Sequence, residues 1–186
     1  LTIGFDPLTF AQQLDDGSPN TPAPVEQWNP PFCGDIDLVI KQDGCWYYGG
    51  TPIGRPNLVR LFARVLKREG DRYFLVTPVE KVGICVEDVP FIVITADVVA
   101  ANDGEQVVWL ETGLGDRFPV DAAHPIRMGG TENLPVPYVM VRGGMEGRLS
   151  RPVYYELAEA AEVHDTAKGE RYYISSSGKR FLLGGA

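Results

Sequence analysis

Hydrophobic and polar residues alternate with a period of two over Ile36–Ile40 and again over Cys45–Tyr48, and Asp43-Gly44 between them supplies left-handed turn residues. This predicts a hairpin. After the loop GGTPIGR the period changes. Leu58, Leu61, Phe62, Val65 and Leu66 recur at i, i+3, i+4, i+7 and i+8, with Arg60, Arg64, Lys67 and Arg68 on another face. Pro56 suits a first helical turn and Gly70 a helix end, so the spacing predicts a helix over residues 56–70. Alternation then returns in Arg72–Val76 and Lys81–Val86 across the turn Thr77-Pro78-Val79-Glu80, and in Phe91–Val99 and Gln106–Leu110 across the turn Asn102–Glu105. Short strands are expected near Phe118 and Ile126.

The tail repeats the centre. Tyr138–Arg142 and Met145–Leu149 form a hairpin, Ser150-Arg151-Pro152 opens a helix to about Val163, and Arg171–Ile174 with Lys179–Leu183 closes the chain. Arg55-Pro56 matches Arg151-Pro152, Arg72-Tyr73-Phe74 matches Arg171-Tyr172-Tyr173, and Lys81 matches Lys179. The pattern predicts an α+β protein of two similar β-rich halves, each a ββαββ repeat of antiparallel strands and one helix. The expected divisions are an extended arm over residues 1–34, a first half over 35–112 and a second over 113–186. Within the arm, Asp6-Pro7 caps a short helix in LTFAQQLDD, and a proline-rich stretch lies along the surface, pinned by Trp28 and Phe32.

Charge narrows the possible ligands. The net charge of −8 excludes a duplex nucleic-acid binder, which needs a basic surface. From Arg55 to Lys81, however, seven Lys or Arg face three Asp or Glu, a basic island suited to a small anion. Arg55 and Lys81 are the candidate anion ligands, Trp46 a stacking surface, and Thr77 and Glu80 polar fixing groups. Each has a plainer reading: core packing for the Trp46–Tyr48 strand, turn chemistry for Thr77, and solvated helix surface for the basic face. GGTPIGRP lacks the spacing of a phosphate-binding glycine loop.

No catalytic signature stands out, and neither a cofactor nor a metal is implied. His124 and His164 are not at ligand spacing to cysteine or acid. A hydrolase-type reading would use Glu80 or Glu87 with His124. Acid pairs such as Asp15-Asp16 and Asp35/Asp37 do not define chemistry alone. Cys33, Cys45 and Cys85 show no pairing pattern, and neither a leader nor a membrane-length apolar run is visible, so the expectation is a cytoplasmic protein with reduced thiols.

The motifs W-x-P-P-x-C-G-D-I-D, D-G-x-W, G-x-P-I-G-R, L-V-R-L-F, T-P-V-E-K and V-E-D-x-P-F run in that order from Trp28 to Phe91. They resemble an uncharacterised bacterial family classed as a domain of unknown function. The resemblance implies a duplicated core, a C-terminal half superficially similar to pleckstrin-homology-like folds, and a nucleotide-like ligand in a pocket at the junction of the halves, with a role in signalling. Residues and resemblance together give a ligand-binding or signalling module as the first expectation. A protein-interaction scaffold, read from the proline-rich arm and the strand edges, is the second.

Overall fold

A computed structural model of the chain describes residues 6–14, 21–101, 104–131, 133–167 and 169–185. Asp15-Asp16 and the Asn102-Asp103 part of the expected turn lie outside the described residues. The chain divides into two units between Pro90 and Phe91. This moves the boundary expected after residue 112: strands β7 (Phe91–Ala100) and β8 (Gln106–Thr112) pair with each other and with strands of the second unit.

The first unit begins with the short helix α1 (Pro7–Gln12). Asp6 caps it, its carboxylate accepting from the backbone N–H groups of Leu8 and Thr9. The proline-rich arm is held by its backbone. Ala23 N–H donates to the Arg64 carbonyl at 2.9 Å, and Arg64 Nε donates to the Thr21 carbonyl at 2.8 Å. Val25 is buried, Trp28 is half-buried, and Phe32, 48% exposed, belongs to strand β1 (Phe32–Ile40). The arm is therefore pinned nearer its middle than the two aromatics suggested.

Strands β2 (Trp46–Tyr48) and β3 (Thr51–Pro52) follow, then helix α2 (Pro56–Arg64), β4 (Leu66–Glu69), β5 (Arg72–Val76) and β6 (Lys81–Val86). The helix stops six residues before Gly70. Leu66 and Glu69 pair with Leu75 and Arg72, and Gly70 at φ +60° turns the hairpin between them. Sheet pairing of Leu66–Glu69 overrides the helical spacing, because extending α2 would leave the outer edge of β5 unpaired. All six strands form one sheet in the order β3-β2-β1-β6-β5-β4, with β1 and β6 parallel.

Helix α2 covers one face of this sheet. Phe62 and Ala63 are buried, and Phe62 meets the rings of Phe10 (5.9 Å) and Trp46 (6.5 Å). Leu38, Ile40, Leu66 and Leu75, all fully buried, complete the core. Burying a side chain such as Phe62 contributes about 1.5–3 kcal/mol.

The second unit has β7, β8, β9 (Arg117–Pro119), β10 (Ile126–Thr131), β11 (Leu134–Arg142) and β12 (Met145–Leu149) in one sheet, ordered β10-β11-β12-β7-β8-β9. Helix α3 (Arg151–Glu159) precedes a separate three-stranded sheet of β13 (Glu162–Thr166), β14 (Gly169–Ser176) and β15 (Lys179–Gly185). Here too the helix ends before the expected Val163, and a strand takes its place. Ser176 ties the small sheet to the large one, its Oγ donating to the Val120 carbonyl at 2.6 Å and accepting from Val108 N–H at 2.9 Å.

The expected α+β duplication is present, with a third strand after each helix where two were expected. Each copy has a hairpin (β1–β2, β11–β12), a helix and then a three-stranded meander, the short β3 preceding the helix in the first copy, and the matched Arg72 and Arg171 lie on the middle strand of each meander. Lys81 and Lys179 each open the last strand of their meander. The two six-stranded sheets are mixed rather than wholly antiparallel: β1 pairs with β6 in parallel, as β12 does with β7.

Each parallel pair includes a glycine at close approach. A Cβ at Gly83 would overlap the Asp35 carboxylate, whose exposed end can swing away; a Cβ at Gly147 would lie 3.2 Å from Phe91 Cβ and 3.1 Å from a Val141 methyl. Gly147→Ala is therefore expected to cost about 1–3 kcal/mol and Gly83→Ala less, as read from urea midpoints of the two variants.

Candidate functional site

The loop Ile53–Arg55 brings the chain from β3 to the start of α2. There Gly54, Arg55, Pro56, Asn57, Leu58 and Leu61, with Leu8 of α1, line an open groove of about 650 Å³. Arg55 is the residue before the first helical turn, and its side chain makes no capping hydrogen bond. Among the described residues its guanidinium has no ion pair. The first turn of α2 carries the positive end of the helix dipole, and Pro56 has no N–H to donate there. The described lining is mostly hydrocarbon, with Arg55 as its one cation.

The other predicted site residues do not gather around Arg55. Trp46 is 3% exposed, and its Nε1 is buried without a hydrogen-bond partner. It packs against Phe62 and so belongs to the core rather than to a stacking platform. Thr77 is fully buried. Its Oγ1 donates to Gln13 Oε1 (3.1 Å) and accepts from the N–H groups of Val79 (3.4 Å) and Glu80 (3.1 Å). It closes the hairpin turn and anchors the end of α1. Glu80 contributes its backbone to that turn, accepting from Thr77 N–H at 2.9 Å.

Lys81 lies on the opposite face of the sheet from α2. Trp46 pairs with Ile40 and Ile40 with Val86, so Val82, Ile84 and Val86 face the helix and Lys81, Gly83 and Cys85 face away. Lys81 Nζ is 3.0 Å from Glu69 and 4.9 Å from the centre of the Phe74 ring. Arg55 and Lys81 therefore cannot clamp one ligand together, which corrects the expected pairing.

Folding largely neutralises the basic island. Lys67 lies 3.4 Å from Glu26 and 3.5 Å from Glu69, and Arg72 pairs with Asp35 while covering the rings of Phe32 and Phe74. The hydrogen bond from Lys81 holds the Glu69 carboxyl below its ordinary range; burial opposes this and Lys67 adds to it. Glu87 is lowered chiefly by its hydrogen bond with Lys41, at 2.7 Å, and by the Gln42 N–H. Its charge is spent on that pair.

In the second unit His124 Nδ1 is 3.0 Å from Asp121 Oδ1, and the imidazole stacks on Phe118 at 5.0 Å. Burial raises the Asp121 pKa, yet hydrogen bonds from the His124 backbone, the His124 ring and the Ala123 backbone outweigh it and leave the pKa lowered. Glu80 and His124, paired in the hydrolase reading, belong to different units. Among the described residues no cluster of three or more His, Cys, Asp or Glu could hold a metal ion. Among the described residues no disulfide joins the cysteines, and no helix is long and apolar enough to cross a membrane.

Leu8, Asn57, Leu58 and Leu61 were not singled out as site residues. Helical spacing assigns Leu58 and Leu61 to the core, but both are only half-buried. The signal available was the arginine at the head of that stripe.

Two β-rich units, each built on a six-stranded mixed sheet with a nine-residue helix, define the structural class. Within it the chain belongs to the DUF1285 family: residues 23–89 match the model of its N-terminal domain, a domain of unknown function, and residues 90–183 that of its C-terminal domain. It is similar to the crystal structure of a DUF1285 family protein from Silicibacter pomeroyi DSS-3, at 42% identity over 99% of this chain and 97% of that one, with a TM-score of 0.88. A second, from Shewanella baltica OS155, is 30% identical over 67% of this chain and 91% of that one, with a TM-score of 0.53. No curated protein matches.

Two outcomes follow from these placements. Thr77→Val is expected to lower stability by about 1–3 kcal/mol in urea titrations, because it strands the buried N–H groups of the turn. The lowered pKa of Asp121 means its contribution is complete above the ordinary aspartate value of about 3.9 and lost as pH falls through the lowered one. Asp121→Asn should therefore flatten the acid limb of the stability–pH curve, measured as urea midpoint between about pH 5 and pH 2.

Proposed function

We propose that this protein is a ligand-binding module that takes a small anionic compound in the groove at the start of α2, with a role in signalling rather than turnover. The observation that carries this reading is Arg55: an exposed guanidinium with no ion pair among the described residues, lining a groove of about 650 Å³, in a chain of net charge −8. A carboxylate or phosphate there would accept paired hydrogen bonds from the guanidinium fork and lie near the positive end of α2. Among the described residues the lining holds neither a carboxylate nor a histidine, so general acid–base chemistry has no partner there, which favours binding over catalysis.

A second reading, a protein-interaction scaffold, draws support from β7, where Ile94, Val98 and Val99 are 56%, 41% and 48% exposed.

Thermal-shift titration of the full chain against nucleotides, inorganic phosphate and small carboxylates tests the first reading. A true ligand at a hundred times its Kd adds about 2.7 kcal/mol of stability. Arg55→Ala should remove that shift while leaving the unliganded melting temperature unchanged. A shift that survives the substitution, or none with any anion, would refute it.

A further inference from the structure

Resting on the anion reading of Arg55, we infer that the ligand of the α2 groove is a monoanionic amphiphile, a carboxylate on an unbranched alkyl chain of medium length. Four of the seven lining residues, Leu8, Pro56, Leu58 and Leu61, present hydrocarbon, and Arg55 is the single cation among them. A di- or triphosphate carries several charges and would leave most of them facing apolar walls, a costly arrangement. A nucleobase needs an aromatic surface, and the lining has none; Trp46 is in the core.

The geometry also gives the ligand a direction. Leu61 follows Arg55 by six residues, about 9 Å along the helix at 1.5 Å per residue. A carboxylate at Arg55 and Asn57 therefore lays its chain past Leu58 towards Leu61, with Leu8 of α1 on the other wall. Full burial of one methylene corresponds to about a fourfold gain in affinity. The groove is open along one side, so about half of that benefit, roughly a twofold gain per methylene, is expected.

Isothermal titration of the full chain with butyrate, hexanoate, octanoate, octylamine and inorganic phosphate tests this. Octanoate should bind about 16-fold more tightly than butyrate, four methylenes at twofold each, and octylamine should not bind. Arg55→Gln should weaken octanoate at least tenfold. Leu8→Asn, at an exposed position where folding is not at risk, should weaken octanoate more than butyrate. If phosphate or butyrate binds as tightly as octanoate and Arg55→Gln still abolishes binding, the amphiphile is wrong and the anion site stands. If no compound binds, the amphiphile is wrong; if octylamine matches octanoate, or if Arg55→Gln changes nothing, both readings fall.

Discussion

Two strands that run in the same direction cannot be joined by a tight turn, so the parallel pairing of β1 with β6 obliges the residues between them to form a crossover. That constraint organises the first unit. The crossover contains β2 and β3 on the outer side of β1, α2 over one face, and β4 and β5 as the meander that returns the chain to β6. Gly83 sits within the seam, where a larger residue would displace the Asp35 carboxylate from Arg72. The second unit solves the same problem differently. There β7 runs parallel to β12, and the meander after α3 stands as its own sheet, held to the large one through Ser176. Similar elements are closed in two ways.

Much of this was legible because period-two and period-3.6 patterns are local. The hairpins at Asp43-Gly44 and Thr77–Glu80, the entry to α2 at Pro56 and the match of Arg72 to Arg171 all depend on neighbours within a few residues. What could not be read depends on distant partners. The apolar spacing of α2 continues through Val65 and Leu66, yet Leu66 pairs with Leu75, and a strand competes with the helix only once β5 is beside it. The same run-on at α3, where β13 takes over, has the same cause and indicates that the two copies share this helix-to-strand junction.

The candidate site follows the same division. A basic island counted along the chain overlooks acids supplied from elsewhere: Glu26 reaches Lys67 from the arm, and Asp35 reaches Arg72 from β1. After these pairs form, Arg55 and Arg60 are left without an ion pair among the described residues, and Arg55 is the one that lines the groove at the head of α2. Lys81 is turned from it by the alternation of β6, a consequence of strand register that a list of charges does not contain. Thr77 and Trp46 are informative in a different sense. Both are buried, so their polar atoms serve or burden the fold and are not presented to solvent.

The parallel seams also set an order of events during synthesis. When Phe32–Ile40 leaves the ribosome, the hairpin with β2 is available at once, but its other edge has no mate until Val86 has been made. The strand Phe91–Ala100 likewise gains β8 early and must wait for Met145–Leu149 on its other side. Each nascent unit thus carries an open strand edge for about half of its own translation, the state in which β-rich chains are most exposed to wrong partners.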